Sequence, residues 1–592
     1  MDRPTVVPAE RPSPAWGSDV IAELLHGLGL PYVTLNPGAS YRGLHDSIVN
    51  YLGNDRPSLV LCLHEEHAVA VAHGWAKATG RPLAVALHSN VGLMHATMAL
   101  YNAFCDRVPM LVLGATGPVD AAERRPWIDW IHTSADQAAL IRPYVKWDDQ
   151  PASAAAAVEA IVRAAALTES YPPAPVYVCL DAALQEAPLP GDVRLPDLDR
   201  HRRAPDPAPS AADVDRVLSA LAAAERPLLL AGRVGRSLDG WEARVRVAER
   251  LGALVLTDLK TGAAFPTAHP LNAAPPGTFL TSAGRALVRS ADLVVALDWV
   301  DLGGTLRQAW GGERVGATVV SCTLDDVLHN GWSKDHFELS PVDVAVRAHP
   351  DLLVAALDGR LVEQAPKAGW VPAAASEAPS PEPESQPADG IAMRDLAAGL
   401  RGALADRDAC LVRLPLGWDG RDLHVAHPLD YLGQDGGAGL ASGPGMAVGA
   451  ALALAGTGRL PVAVLGDGDF LMGASALWTA AHCGLPLLVV VANNRSFFND
   501  EVHQERVALV RGRPVENRWV GQHIRDPDPD LAALARSLGL VGIGPVTGGA
   551  ELAPALGQAV AAADAGAAVV VDVRIGVRGY PTGPGAGGAG TA

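Results

Sequence analysis

The sequence predicts an α/β protein made of three doubly wound parallel-sheet domains. Short apolar runs of strand length recur between stretches whose apolar residues fall at helical spacing. That alternation is what a parallel sheet with helices on both faces requires. Connectors rich in Pro and charge break the pattern into three blocks. The chain of 592 residues also exceeds what one core holds, since single cores stop growing at roughly 250–300 residues.

The first block spans residues 14–190. Residues 16–29 carry helical spacing, and Tyr32–Leu35 is a short strand that stops at Asn36-Pro37-Gly38. Ser58–Leu63 is an apolar strand, Glu65–Thr79 a helix, and Leu83–Leu87, Met110–Leu113 and Val176–Leu180 are further strands. The second block spans residues 205–360 and opens on a helix near residue 211, with strands at Pro227–Ala231, Ala253–Thr257, Leu293–Leu297 and Thr318–Cys322. Residues 371–389, VPAAASEAPSPEPESQPAD, are a linker, because Pro, Ala, Ser and Glu dominate and nothing there can build a core. The third block spans residues 390–578, with strands at Cys410–Arg413, Val462–Leu465, Leu487–Ala492 and Ala568–Val573. A disordered tail, GPGAGGAGTA, is expected after it. The first and third blocks look like two related units flanking a middle one.

Composition narrows the function classes. Hydrophobic residues are 49% and charged residues 19% of the chain, which is a globular balance. The net charge of −18 repels nucleic acid and anionic membranes, so neither is an expected partner. An anionic ligand then has to be held by a local device such as a helix start or a metal ion. Cys62, Cys105, Cys179, Cys322, Cys410 and Cys483 are scattered without a CxxC pair, which predicts buried free thiols and a reducing, cytoplasmic setting. The start MDRPTVVPAERPSP has no apolar core of a signal peptide, and no apolar run reaches bilayer length.

Residues 461–494 read PVAVLGDGDFLMGASALWTAAHCGLPLLVVVANN. One apolar strand runs into Gly466-Asp467-Gly468, a helix is expected from about Leu471, and a second strand ends at Asn493-Asn494. Ligands of open parallel sheets collect at the carboxyl ends of strands, where Asp467 and Asn494 both fall. A carboxylate and an amide oxygen are hard ligands of the kind Mg2+ takes alongside phosphate oxygens. The glycines admit backbone to a phosphate, and a helix N-terminus offers N–H groups to it. A lone Gly-Asp-Gly is equally a strand-to-helix turn; the second strand ending in Asn-Asn, 27 residues beyond Asp467, sets this one apart.

This pairing resembles the motif of the thiamine diphosphate enzymes, the superfamily of acetolactate synthase, pyruvate oxidase and benzoylformate decarboxylase. The resemblance implies pyrimidine-binding, middle and diphosphate-binding domains in that order, with thiamine diphosphate and Mg2+ as cofactors. It implies Asp467, the side chain of Asn494 and the carbonyl of Ser496 as metal ligands, and Gly466, Gly468 and Asp469 at the diphosphate. Many relatives have Ser or Ala at the place of Asp469, and a second acid there is repulsive unless it turns away or accepts a backbone N–H. In SGPGMAVG, residues 442–449, Pro444 falls where relatives place the bulky residue that bends the cofactor, and Met446 is a candidate to share that role. The same residues also read as a simple Gly/Pro turn.

Residues 64–80, HEEHAVAVAHGWAKATG, are similar to the superfamily pattern His-Glu-x-x-A…GYARATG. Counting back from Gly74 and Gly80 selects Glu65 as the acid that activates the cofactor through its aminopyrimidine. A carboxyl in an apolar helix start holds its proton more tightly and can share it. On residues alone, Glu65 and Glu66 are also simply acids favoured at a helix N-terminus.

The segment LHSNVGLMHATMALYNAF, residues 87–104, resembles benzoylformate decarboxylase in placing His88 before Ser89. His88 is therefore a candidate to orient a substrate carboxylate or transfer a proton, with Asn90 and His95 nearby. The superfamily's Asn-Pro-Gly-Ser becomes Asn36-Pro37-Gly38-Ala39, so the hydroxyl is missing at Ala39, with Ser40 adjacent. The middle block shows Asp298, Trp299 and Asp301 where a second catalytic histidine is expected. Phe497 and Phe498 are candidates to wall the substrate pocket; Glu501 and His503 read as polar groups near the reacting carbon or as solvated loop residues. Trp127 and Trp130 read as a lid, a subunit contact or core packing. Gly232–Ser237, GRVGRS, is not a GxGxxG turn, and no flavin is expected.

The resemblance implies a C–C bond lyase or carboligase acting on a 2-oxo acid, most like a benzoylformate-type decarboxylase. An acetolactate synthase-like transferase and a non-catalytic cofactor-binding or regulatory homologue are the alternatives. It also implies a homodimer or homotetramer with the active site between subunits.

Overall fold

A computed structural model describes residues 6–7, 13–191, 193–325, 339–372, 390–434 and 436–576. Three parallel sheets organise it. The first has six strands: β1 Tyr32–Leu35, β2 Ser58–Leu61, β3 Ala84–Leu87, β4 Met110–Thr116, β5 Asp148–Asp149 and β6 Pro175–Asp181, in the order β2-β1-β3-β4-β6-β5. The second has five: β7 Pro227–Ala231, β8 Leu254–Leu256, β9 Leu293–Leu297, β10 Thr318–Cys322 and β11 Val344–Val346, in the order β11-β10-β9-β7-β8. The third also has five: β12 Ala409–Arg413, β13 Leu460–Gly466, β14 Leu487–Asn493, β15 Val541–Val546 and β16 Ala568–Arg574, in the order β12-β13-β14-β16-β15.

Strand direction and side-chain alternation set the layers. Successive strand residues point to opposite faces. Thus Leu111 and Leu113 of β4 enter one core, while Met110 and Val112 enter another. In the first sheet the strand order reverses between β1 and β3, and the carboxyl end of such a pair is where a ligand crevice opens. Residues 36–40 follow β1 there, and His88 follows β3.

The first and third sheets share one core. The helix Glu65–Thr79 packs along the helix Ser442–Leu454, and Val71, Ala72, Met446 and Val448 join Val85, Val112, Leu465 and Val489 in a single cluster. The helices touch backbone to backbone. A Cβ at Gly74 would stand 2.0 Å from the carbonyl oxygen of Met446, and one at Gly449 would stand 1.9 Å from that of Val71. The Glu65 helix starts because His64 Nδ1 accepts the Glu66 N–H at 3.2 Å, and it ends at Gly80, whose φ of 69° an L side chain rarely adopts. The middle sheet is tied to the third block by Arg236. Its guanidinium donates to the carbonyls of Pro428 (3.4 Å), Tyr431 (3.2 Å) and Leu432 (3.2 Å).

All six cysteines are free and buried. Among the described residues, no helix is long and apolar enough to cross a membrane. The strands β5, β11 and β15 were not predicted. They lie at sheet edges, and Asp148-Asp149 and the partly exposed Val541–Val546 carry no continuous apolar run. Residues 373–389, most of the expected linker, and the expected disordered tail lie outside the described residues.

Candidate active site

The carboxyl ends of β12, β13 and β14 lie side by side. β13 runs into Gly466, and the next helix begins at once, Asp467–Gly473, four residues before the predicted start near Leu471. Gly-Asp-Gly is therefore the N-cap and first turn itself. The Ser496 N–H donates to both Asp467 Oδ2 (3.1 Å) and Asn494 Oδ1 (3.0 Å), so these two oxygens converge on one amide. Burial pushes the Asp467 carboxyl up to about 6, against the pull of the backbone N–H groups around it. A divalent cation would favour the ionised form. Gly468 lies under the Phe497 ring, where a Cβ would stand 2.5 Å away, while a Cβ at Gly466 would meet nothing within 4 Å. A hard-oxygen pair beside a side-chain-free turn fits a metal-anchored diphosphate.

Asp469, the doubtful second acid, turns back into the protein. It accepts the Ala441 N–H at 2.8 Å and pairs with Arg413 Nε at 3.0 Å. Ala441 has a φ of 84°, so Asp469 holds a strained corner immediately before the Ser442 helix. Pro444 lies within that helix, 3.1 Å from where a Gly473 Cβ would be. Met446 is fully buried in the shared core rather than free to line the cleft.

Beyond β14 the chain forms a latch. Asn493 Nδ2 donates to Asp572 Oδ1 at 2.8 Å. Ser496 Oγ donates to Glu501, which also meets His523 Nε2 at 2.9 Å and Arg518 Nε at 3.5 Å. Glu501 thus holds the Ser496 loop instead of reaching toward a substrate. Phe498 is buried beside it, and His503 is bonded to Asn499 at 3.2 Å.

On the N-terminal side, Glu65 is the first residue of its helix and is 6% exposed. Its Oε2 lies 2.9 Å from His95 Nδ1, and its side chain packs on Gly92. Neighbouring helical residues face apart. Glu66 accordingly faces the third domain, where burial first and the charge of Asp469 second push its carboxyl up to about 6. The first and third domains meet here within a single chain; Thr479 Oγ1 donates to the Leu61 carbonyl at 2.8 Å.

At the β1–β3 crevice, Ser40 Oγ and His88 Nδ1 are 2.9 Å apart, and Ala39 is exposed beside them. Gly38 is required, since a Cβ there would stand 2.2 Å from the His88 ring. His88 also meets the His132 ring edge-on, with centroids 4.7 Å apart. Burial first and His132 second lower its pKa, against the raising charge of Glu65. Asn90 Nδ2 donates to the Ile131 carbonyl at 3.3 Å, tying down this segment. Trp127 and Trp130 are 70% and 64% exposed, which excludes core packing for both rings. Asp298 is locked among Tyr171, Thr323 and Arg107; Trp299 bonds Thr305, and Asp301 caps the next helix through Gly304. None of those three is placed at this crevice. His132, Arg413, Arg518 and His523 carried no spacing signal in the sequence.

Family models match the chain in three places. Residues 15–140 match the thiamine pyrophosphate enzyme N-terminal TPP binding domain, residues 214–303 the central domain, and residues 417–573 the C-terminal TPP binding domain. Together they cover well over half of the chain. The chain belongs to the thiamine pyrophosphate enzyme family. It is a thiamine diphosphate-dependent enzyme, and its three sheets correspond to the family's three domains. The enzyme is 27% identical over 550 residues, 90% of each chain, to the "Probable 2-ketoarginine decarboxylase" of Pseudomonas aeruginosa. It is 24% identical to the acetolactate synthase isozyme 1 large subunit of Escherichia coli, covering 83% of each. Among solved structures, it superposes on the 4-hydroxybenzoylformate decarboxylase of Rhodococcus jostii with a TM-score of 0.75 at 23% identity, covering 95% of this chain and 99% of that one.

Proposed function

We propose that this enzyme uses thiamine diphosphate and Mg2+ to decarboxylate a 2-oxo acid non-oxidatively, in the manner of the benzoylformate decarboxylases. The observation that carries the reading is the Glu65 helix packed on the Ser442 helix. The Ser442 helix touches both halves of the proposed site: a Cβ at Gly445 would meet Ala70 of the Glu65 helix at 2.6 Å, and one at Gly443 would meet the Asp469 carboxylate at 2.4 Å. The decarboxylase relative that matches along 90% of both chains supports the same reaction class.

Asp467, Asn494 and the Ser496 carbonyl would hold Mg2+, and the Gly466–Gly468 turn would take the diphosphate. When bound, the cofactor supplies an electron sink for the pair released as the carboxylate leaves. Glu65 Oε2 would hold a proton against the aminopyrimidine ring. Its burial beside Gly92 fixes the carboxyl in place. Ser40 fixes the ring of His88, which can then donate a hydrogen bond to a substrate carboxylate or return a proton to product. Asp469 serves the fold, by holding the Ala441 corner that presents Pro444. No flavin takes part in this reading, and its setting is the cytoplasm. Assembly into a homodimer or homotetramer is supported by exposed Leu63, Met94, Met98, Leu440 and Met472 on the segments around the cleft.

The E. coli relative supports a second reading, transfer of the acyl unit to another 2-oxo acid. The intact set of Glu65, Asp467 and Asn494 argues against a non-catalytic homologue. The test is a panel of 2-oxo acids with thiamine diphosphate and Mg2+, scored for aldehyde or hydroxyketone. Glu65→Gln should abolish turnover and leave cofactor binding largely intact; full activity in that variant refutes the assignment.

A further inference from the structure

We infer that His64, Glu65 and His95 form a second metal site, of the Zn2+ class, whose occupancy excludes the use of Glu65 toward the cofactor. The site stands on geometry alone. Only the exclusion rests on the role proposed for Glu65.

One ligand atom from each of the three side chains lies within 4.8 Å of the other two, and among the described residues no other trio of His, Cys, Asp or Glu converges in this way. Bonds of about 2.0–2.2 Å around a tetrahedral ion put its ligand atoms roughly 3.3–3.6 Å apart. Glu65 Oε2 and His95 Nδ1 already stand at 2.9 Å, so an ion replacing the shared proton opens that pair slightly. His64 is the third member, but its ring is stacked on His95 with centroids 4.7 Å apart and planes tilted by 24°, so it has to rotate before both lone pairs, which lie in the ring planes, meet one ion. Solvent reaches the site through His95, whose side chain is 56% exposed, while Glu65 is held in place by its burial.

Ligand chemistry separates this site from the diphosphate anchor. Two imidazoles and one carboxylate suit Zn2+, Co2+, Ni2+ or Cu2+, whereas Mg2+ prefers an all-oxygen shell. The three ligands also differ in cost. His95 and Glu65 give up only the hydrogen bond between them. His64 Nδ1 already accepts the Glu66 N–H at 3.2 Å, so using either ring nitrogen of His64 surrenders that cap, directly or by moving the ring proton onto Nδ1. Glu65 and His95 are therefore the principal ligands, and His64 is the weakest. Because Glu65 Oε2 cannot hold the ion and a cofactor proton together, metal and active cofactor compete.

The probe is Co2+, added to the full chain after removal of thiamine diphosphate and Mg2+ and followed by its visible absorption. One equivalent should bind, with Zn2+ displacing it. His95→Ala, His95→Gln and Glu65→Gln should each weaken binding at least about tenfold, on the scale of losses seen for lost ligand support. His64→Ala should weaken it less, and Asp467→Asn should leave it unchanged. Binding that survives loss of His95 or Glu65, or that disappears with Asp467, overturns the site. Thiamine diphosphate with Mg2+ should expel the Co2+. Co2+ retained at full occupancy beside bound cofactor overturns the exclusion and counts against Glu65 as the cofactor's acid, while the metal site itself stands.

Discussion

Replacing Gly74 by alanine tests the helix contact on which the site is built. On an isolated helix, alanine is favoured over glycine by about 1 kcal/mol. Here the new methyl would stand 2.0 Å from the Met446 carbonyl oxygen and under 3 Å from its carbon and Cα. Those atoms belong to the backbone of the Ser442 helix, so relief requires the whole helix to move. Overpacking of this kind costs about 1–3 kcal/mol. A rigid backbone neighbour puts Gly74 near the upper end, and the net loss, after the gain in propensity, is about 1–2 kcal/mol. Gly557 is the control. It lies inside the helix Gly549–Asp564, and a Cβ there meets nothing within 4 Å. Gly557→Ala should gain about 0.5–1 kcal/mol. The assay is calorimetric unfolding together with thiamine diphosphate affinity, read by tryptophan fluorescence. Gly74→Ala should lower the midpoint and weaken cofactor binding, and Gly557→Ala should raise the midpoint and leave affinity alone. If both raise it, the helices do not approach as described.

Other perturbations bear on the charges of the cleft. The Glu66 carboxyl is raised from 4.5 to about 6, so the fold prefers it neutral and loses stability as pH climbs from 4.5 through 6. Glu66→Gln should therefore unfold later than the parent at neutral pH, by about 1 kcal/mol once solvent screening of this half-buried carboxyl is allowed for, with the difference closing below pH 4.5; a gap independent of pH contradicts the reasoning. Arg413→Met leaves the buried Asp469 carboxylate without its cation and should cost about 3 kcal/mol in thermal unfolding. A loss near zero would mean that the pair at 3.0 Å does no more than a surface contact. Dialysis against a chelator should release thiamine diphosphate into the filtrate, since Asp467 and Asn494 offer no positive charge to a diphosphate on their own. Retention of the cofactor without divalent metal would remove them from the anchor.

The parts of the fold that could be read from sequence are those buried on both faces. β1, β7, β9 and β10 and the helix Glu65–Thr79 lie where the apolar pattern predicts them, because central strands of parallel sheets show continuous apolar runs. The edge strands β2, β8 and β12 keep an apolar run and were legible too, but β5, β11 and β15 lack that signal, and Asp148-Asp149 reads as nothing but turn. In the candidate site, Gly466–Asp467 and Asn494 were legible because each ends a strong strand. The start of the helix at Asp467 was not, since Gly and Asp weaken the local pattern. What Asp469 does was also hidden: its partner Arg413 sits on a neighbouring strand, far along the chain, and Ala441 reaches it only through a left-handed corner. Glu501 read on paper as a polar group near the reacting carbon or a solvated loop residue, yet it folds back onto Ser496 because His523 and Arg518 return through a long loop. His132 joins His88 in the same way, by a crossing between loops that leaves no periodic trace.

Arg236 constrains how this enzyme can be recombined. Its guanidinium terminates three main-chain oxygens at residues 428–432, just upstream of the strained corner that leads into the cleft. A chimera that imports a relative's central domain without an equivalent cation would take that donor from the Pro428 and Leu432 carbonyls and leave the Tyr431 carbonyl only the Ala263 N–H. Residues 232–237 and 428–432 therefore form one transplantable cassette, and shuffling boundaries drawn between the domains cut through it.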